Sequence, residues 1–294
     1  MMTHILIFPF TLYSILLFSF CRQESSNSRI NIQKDYLNEI DSGNLTDSNS
    51  QQLFKRFQCP NGYHRINVSE TSFQKWLRNF PLQKDDAPVY LFNKNLKLRQ
   101  DVHAAVLDID VGKTDLQQCA DAIMRLRAEY LFQNELFDSV VFTFTNGSKA
   151  YYSKWRGGFR PHIVNNSVSW SKDAPVDTSY KCFRQYMDAI FMYCGTYSLS
   201  KELKSVSIHQ IQGGDVLIHG GFPGHAMIVM DIAINSTTGK RIFLLAQSYM
   251  PAQNIHIVKN FTNEKLSPWF EVPEDGIIET PEWTFNTNEL KRFQ

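Results

Sequence analysis

Apolar residues recur along this chain with two different periods. In SFQKWLRNF, Phe73, Trp76, Leu77 and Phe80 share one helical face, Ser72 stands at the N-cap position, and Pro81 ends the run. TDLQQCADAIMRLRAEYLF carries the clearest helical period, through Leu116, Ala120, Ile123, Arg127 and Tyr130, with Thr114 or Asp115 as its expected cap. A further helix is predicted from about residue 180 to 194, ended by Gly195, and SLSKELKSV supplies a short one after it.

The second period is that of strands. APVYLFN and AAVLDIDV read as strands with a hairpin turn at Lys94-Asn95, and SVVFTFTNG alternates until Asn146-Gly147 stops it. Residues 148–179 read as loop-rich. From Asp215 onward the chain is largely strand: VLIHG, HAMIVMDIAI, a turn at NSTTGK, then RIFLLAQSYM. The tail PEWTFNTNELKRF is expected to pack back on the surface. Helices first and antiparallel strands after predict an α+β domain with segregated layers.

The N-terminus breaks both patterns. Residues 5–20 form one apolar block, the length of a signal-peptide core and short for a membrane span. Cys21 and a Ser- and Asn-rich stretch follow, an order that resembles a bacterial lipoprotein signal with Cys21 as the acylated residue. The expected organisation is a leader at 1–21, a flexible linker at 22–53 and one folded domain at 54–294. At 294 residues the chain can bury a substantial core, and 20% charged residues are ordinary for a globular protein. A net charge of +1 carries no electrostatic footprint for nucleic acid, and membrane contact is expected only through the leader or a lipid.

Candidate chemistry concentrates in GGDVLIHGGFPGHAMIVMD. There a turn, a short strand and a glycine-rich loop lead to His225 at the mouth of a second strand. Cys119 lies in the first turn of its helix, where unpaired backbone N–H groups and the helix dipole favour a thiolate. Gln247, on the strand after the NSTTGK turn, falls on the same face as His225 by numbering parity. Together they form a candidate nucleophile, base and orienting residue. The alternatives are a thiol packed beside an apolar helix stripe and a histidine that caps its strand through a backbone partner. Asp215 is expected to brace the Gly-Gly-Asp turn. Gln118, Trp155, Arg156 and Arg160 are candidates to line the cleft, although aromatics beside arginines also form small aromatic cores. Cys182 and Cys194 would stand roughly 18 Å apart on one straight helix, too far for a disulfide. His219, His225 and His256 lack ligand spacing, so neither metal nor cofactor is expected.

DLQQCADAIMRLRAEYL, GDVLIHGGFPGHAMIVMDIA, FLLAQSYMPAQNIHI and TPEW resemble, over residues 56–294, the family catalogued as domain of unknown function 4846. That resemblance implies an exported, often lipoprotein-like bacterial protein and brings no established activity. A looser resemblance is to the NlpC-type cell-wall cysteine peptidases and amidases of the papain-like superfamily. They share the order of helix-borne Cys, Gly-Asp turn, His opening a strand and a polar residue on a later strand, here Cys119, Gly214-Asp215, His225 and Gln247. Ala120-Asp121 departs from their usual Ser-Gly pair, and the long interval to His225 leaves room for an insertion at about 140–212. This likeness implies a papain-like helix layer on an antiparallel sheet, and a thiol hydrolase of amide or ester bonds whose partner is peptidoglycan or an envelope peptide. The alternative is a non-catalytic envelope binding lipoprotein using the aromatic and arginine-rich segment.

Overall fold

The computed structural model describes residues 45–274 and 276–294. The leader, Cys21 and the linker as far as residue 44 lie outside the described residues. In chain order the helices are α1 (Leu53–Arg56), α2 (Phe73–Arg78), α3 (Cys119–Gln133), α4 (Tyr152–Arg156), α5 (Tyr180–Tyr193) and α6 (Thr196–Glu202). The strands begin with β1 (Tyr63–Arg65), β2 (His103–Val106), β3 (Val141–Thr143), β4 (Lys149–Tyr151), β5 (Phe159–Val164), β6 (Ser167–Lys172) and β7 (Lys204–Ser205). They continue with β8 (Val216–His219), β9 (His225–Asn235), β10 (Arg241–Gln247), β11 (His256–Val258) and β12 (Phe270–Glu271). Last come β13 (Ile277–Glu279), β14 (Thr284–Asn286) and β15 (Leu290–Arg292).

The architecture is mixed α+β around one large antiparallel sheet. Among the described residues the sheet runs β2-β11-β10-β9-β8-β15-β7, with β1 added on β9 and β12 on β10. β9 lies in its middle, which explains its apolar run from Ala226 to Met230: a strand buried on both faces has no solvent side to alternate with. Met227 and Val229 join Leu217, Phe243, Leu245 and Phe285 in one core cluster. Ala226, Ile228 and Met230 are equally buried, and α3 and α2 pack along the same strand.

Several elements differ from their sequence reading. α2 forms as expected, with the Ser72 hydroxyl accepting the Lys75 N–H. APVYLFN is not a strand: Tyr90 and Leu91 make single bridges to Leu96 and Gln253, and the Tyr90 N–H goes to the Asn254 side chain. The turn at Lys94 exists, but it folds the segment on itself and does not join it to β2, which pairs with β11. Residues 148–179 are a strand, a helix and the β5–β6 hairpin, not a loop. That hairpin does alternate, with Val168 and Trp170 between Ser167, Ser169 and Ser171, but the glycines, proline and asparagines around it read as loop. The tail enters the fold as β15 against β8, with Phe285 and Leu290 fully buried. The packed chain also begins before residue 54, since Thr46 bridges Phe57 and Gln52 bridges Pro81 beside the buried Leu53.

Candidate functional site

α3 starts at Cys119, later than a cap at Thr114 or Asp115 would allow. Residues 114–118 instead make tight local turns, Leu116 N–H to the Thr114 carbonyl and Gln118 N–H to the Leu116 carbonyl. Asp115 is used elsewhere: it accepts the Ala252 N–H at 2.7 Å and the Gln118 amide at 3.1 Å. Gln118 is the N-cap, and Asp121 returns its carboxylate to the Gln118 N–H at 3.0 Å. The other Asp121 oxygen is buried without a partner, and burial pushes this carboxyl well above its usual range. Cys119 is thus the first helical residue, half-buried, with its sulfur beside the amides that no helical carbonyl satisfies.

Asp215 braces its turn by accepting the Gln212 N–H at 2.9 Å, and it holds Arg292 of β15 through two bonds of 2.6 and 2.8 Å. Burial pushes the Asp215 carboxyl up while Arg292 opposes it. The turn launches β8, whose last residue His219 pairs with His225. At the two ends of the loop between them, Gly220 and Gly224 leave no room for a side chain. A Cβ on Gly224 would stand 2.4 Å from the Thr196 hydroxyl oxygen and 2.5 Å from the Gly221 carbonyl oxygen.

His225 opens β9 and Gln247 closes β10, and a register shift at Leu244/Leu245 brings their side chains together. His225 Nε2 lies 2.8 Å from Gln247 Oε1. The surrounding network assigns every proton. Glu282 accepts from Gln247 Nε2 at 2.7 Å, which fixes the amide with its oxygen toward the ring. That oxygen only accepts, so His225 Nε2 carries the proton and Nδ1 is the free basic nitrogen. His256 donates from Nδ1 to the Asn254 carbonyl at 2.9 Å, leaving its Nε2 to face Gln247 Nε2 at 3.3 Å. Glu282 is held in turn by Lys97 Nζ at 2.5 Å. The His225 ring sits among Tyr249, Trp283 and Phe285, with centroids 4.8, 5.3 and 5.9 Å away.

These surroundings set the charges. Burial lowers His225 to about 4, against the bond to Gln247 and aided by Lys97. His256, wholly enclosed, is lowered to about 3, again chiefly by burial. Burial raises the Cys119 thiol to about 11 and Asp121 adds to the effect; the N–H groups of Ala120, Ala226 and Cys119 itself oppose it. The expectation that the helix start depresses this thiol is therefore reversed, because desolvation outweighs the exposed amides. The resting pair is a neutral thiol and a neutral imidazole.

Cys119 and His225 line one groove of about 610 Å³, together with Gln118, Tyr249 and Trp283. The N–H of Ala226, the residue after His225, is near enough to favour the thiolate. Trp155, Arg156 and Arg160 are not in this groove and do not line the cleft as the sequence suggests. Trp155 is buried against Tyr186, with the Arg160 guanidinium 4.1 Å above its ring, and Arg156 covers Phe137 at 4.3 Å. Their aromatic surroundings are a small separate core. Sequence reasoning missed Asp121, Lys97, Glu282 and Trp283. The last two stand in the TPEW segment, where a charged and an aromatic residue follow a proline in a tail read as surface. Among the described residues no group of three or more His, Cys, Asp or Glu could hold a metal ion.

A family model described as "Domain of unknown function (4846)" matches residues 53–292. No curated protein and no solved structure matches the chain.

Proposed function

This chain belongs to the family described as domain of unknown function 4846, and from its groove we propose a thiol hydrolase that cleaves an amide or ester bond. One observation carries the reading. Cys119 and His225 line one groove, and Gln247 holds the Nε2 nitrogen of the ring.

In this mechanism His225 Nδ1 takes the thiol proton as the sulfur attacks the substrate carbonyl. Neither group is charged at rest, so deprotonation accompanies attack and does not precede it. The first-turn amides of α3 receive the developing oxyanion. The imidazolium returns its proton to the leaving group; a water molecule, deprotonated by the same nitrogen, then attacks the thioester carbonyl, and the imidazolium reprotonates the departing sulfur as the acid is released. Gln247 accepts from Nε2 throughout, which leaves Nδ1 as the nitrogen that takes the proton; Glu282 keeps the amide from flipping. The helix-borne Cys, Gly-Asp turn, His-headed strand and polar strand partner follow the papain-like order, and we read the leader as an export signal for this domain. The alternative of a non-catalytic envelope binder draws no support from Trp155, which is buried.

A chloromethyl ketone probe with peptide mapping tests the proposal. Cys119 is expected to react about 100-fold faster than Cys182 or Cys194, and His225→Ala to remove about two orders of magnitude of that rate. Gln247→Ala gives an intermediate loss. Equal labelling of all three cysteines, unchanged by His225→Ala, overturns the hydrolase reading.

A further inference from the structure

Beside the thiol, the groove is walled by Phe191, Tyr197, Phe222, Pro223, Met250 and Trp283. Phe222, on the β8–β9 loop, is 97% exposed, and Met250, just after β10, is 56% exposed. Two large apolar side chains from different loops thus stand in solvent at the mouth of the same groove. Isolated exposed apolar residues are ordinary, but a contiguous set around a concave site marks a binding surface. The charges point the same way. Asp115 lines the groove, and among the described residues no lysine or arginine does.

Most polar groups on the walls are already engaged. The Thr196 hydroxyl donates to the Gly221 carbonyl at 3.1 Å and accepts the Gly221 N–H. The Gly195 N–H goes to the Ser198 hydroxyl, and the Gln118 amide goes to Asp115. β9 is flanked by β8 and β10 where it leaves the groove, so no free strand edge is offered there. A peptide backbone needs such donors, acceptors or edges, and an anionic cell-wall peptide needs cations as well.

Resting on the hydrolase reading, we propose that the substrate is an amide or ester of an uncharged, apolar acyl group, whose chain lies along the Phe222–Met250 wall. The carbonyl of that group is the one attacked by Cys119.

Binding to the Cys119→Ala protein, measured by isothermal titration, tests the groove without any chemistry. The ligands are acetamide, octanamide, the monoamide of octanedioic acid, and N-acetyl-leucyl-leucinamide. Octanamide is expected to bind roughly tenfold or more tightly than acetamide, and to be preferred over the other two. Phe222→Ser with Met250→Ser, in the same background, narrows the gap between octanamide and acetamide. The assignment is overturned if octanamide does not bind, if the ω-carboxylate is preferred, or if the dipeptide amide binds more tightly. Loss of probe labelling at Cys119 would sink the thiol chemistry while leaving this preference measurable, so the two failures are distinguishable.

Discussion

A thiol raised to about 11 beside an imidazole lowered to about 4 is an uncharged pair at neutral pH. Both shifts have the same main cause, removal of water by the groove walls, and it outweighs the amides that favour the thiolate. In the His225→Ala protein, where no base assists the thiol, alkylation of Cys119 by iodoacetamide should therefore accelerate about tenfold for each pH unit between 6 and 9, as the thiolate fraction grows. With His225 present, proton transfer within the pair gives a flat profile over that range, and a plateau in the peptide-mapped rates of the His225→Ala protein would refute the raised thiol. Gln247 shows how far one orientation reaches. Its amide is fixed by a carboxylate 35 positions later in sequence, and through that it fixes the histidine tautomer.

At the scale of elements, the candidate site is an assembly of termini: the start of α3, the end of β8, the start of β9 and the end of β10. Termini are where backbone groups and side chains remain reachable while the rest of each element is locked by packing. The turn before β8 is part of that lock. Gly214 has φ +88°, and a Cβ there would sit 2.8 Å from the Phe73 ring of α2. Gly214→Ala combines a left-handed backbone with an overpacked contact and should cost about 2 kcal/mol or more. Urea denaturation measures it, and an unchanged midpoint would show that the turn tolerates a side chain.

On the scale of the whole molecule, the C-terminal tail completes both core and site. It supplies β15 to the sheet, Phe285 and Leu290 to the core, Glu282 and Trp283 to the surroundings of His225, and Arg292 to Asp215. Asp215 is fully buried, so its carboxylate depends on that arginine. Arg292→Ala leaves an uncompensated buried charge and should destabilise the fold by about 3–5 kcal/mol. Equilibrium unfolding at pH 7 checks it; a loss below about 1 kcal/mol would mean that the pair behaves as a surface contact.

What the sequence determined by itself is whatever repeats locally. The periods of α2, α3 and α5 follow from side-chain direction along a helix, and the apolar runs of β8, β9 and β10 from burial on both faces of the sheet. The facing of His225 and Gln247 is different: the register set at the turn, Arg241 with Ile234, would carry Gln247 opposite Ile228, and only the shift at Leu244/Leu245 moves it onto the face of His225. Tertiary structure decided everything that depends on a distant partner. It alone set which strand β2 joins, where the tail inserts, that Glu282 and Lys97 stand behind Gln247, and that Trp155 is core. It also decided the charge state of Cys119. A helix start favours a thiolate wherever it occurs, but the strength of the opposing desolvation depends on which walls close around the sulfur, and those walls come from α5, α6, the β8–β9 loop and the tail.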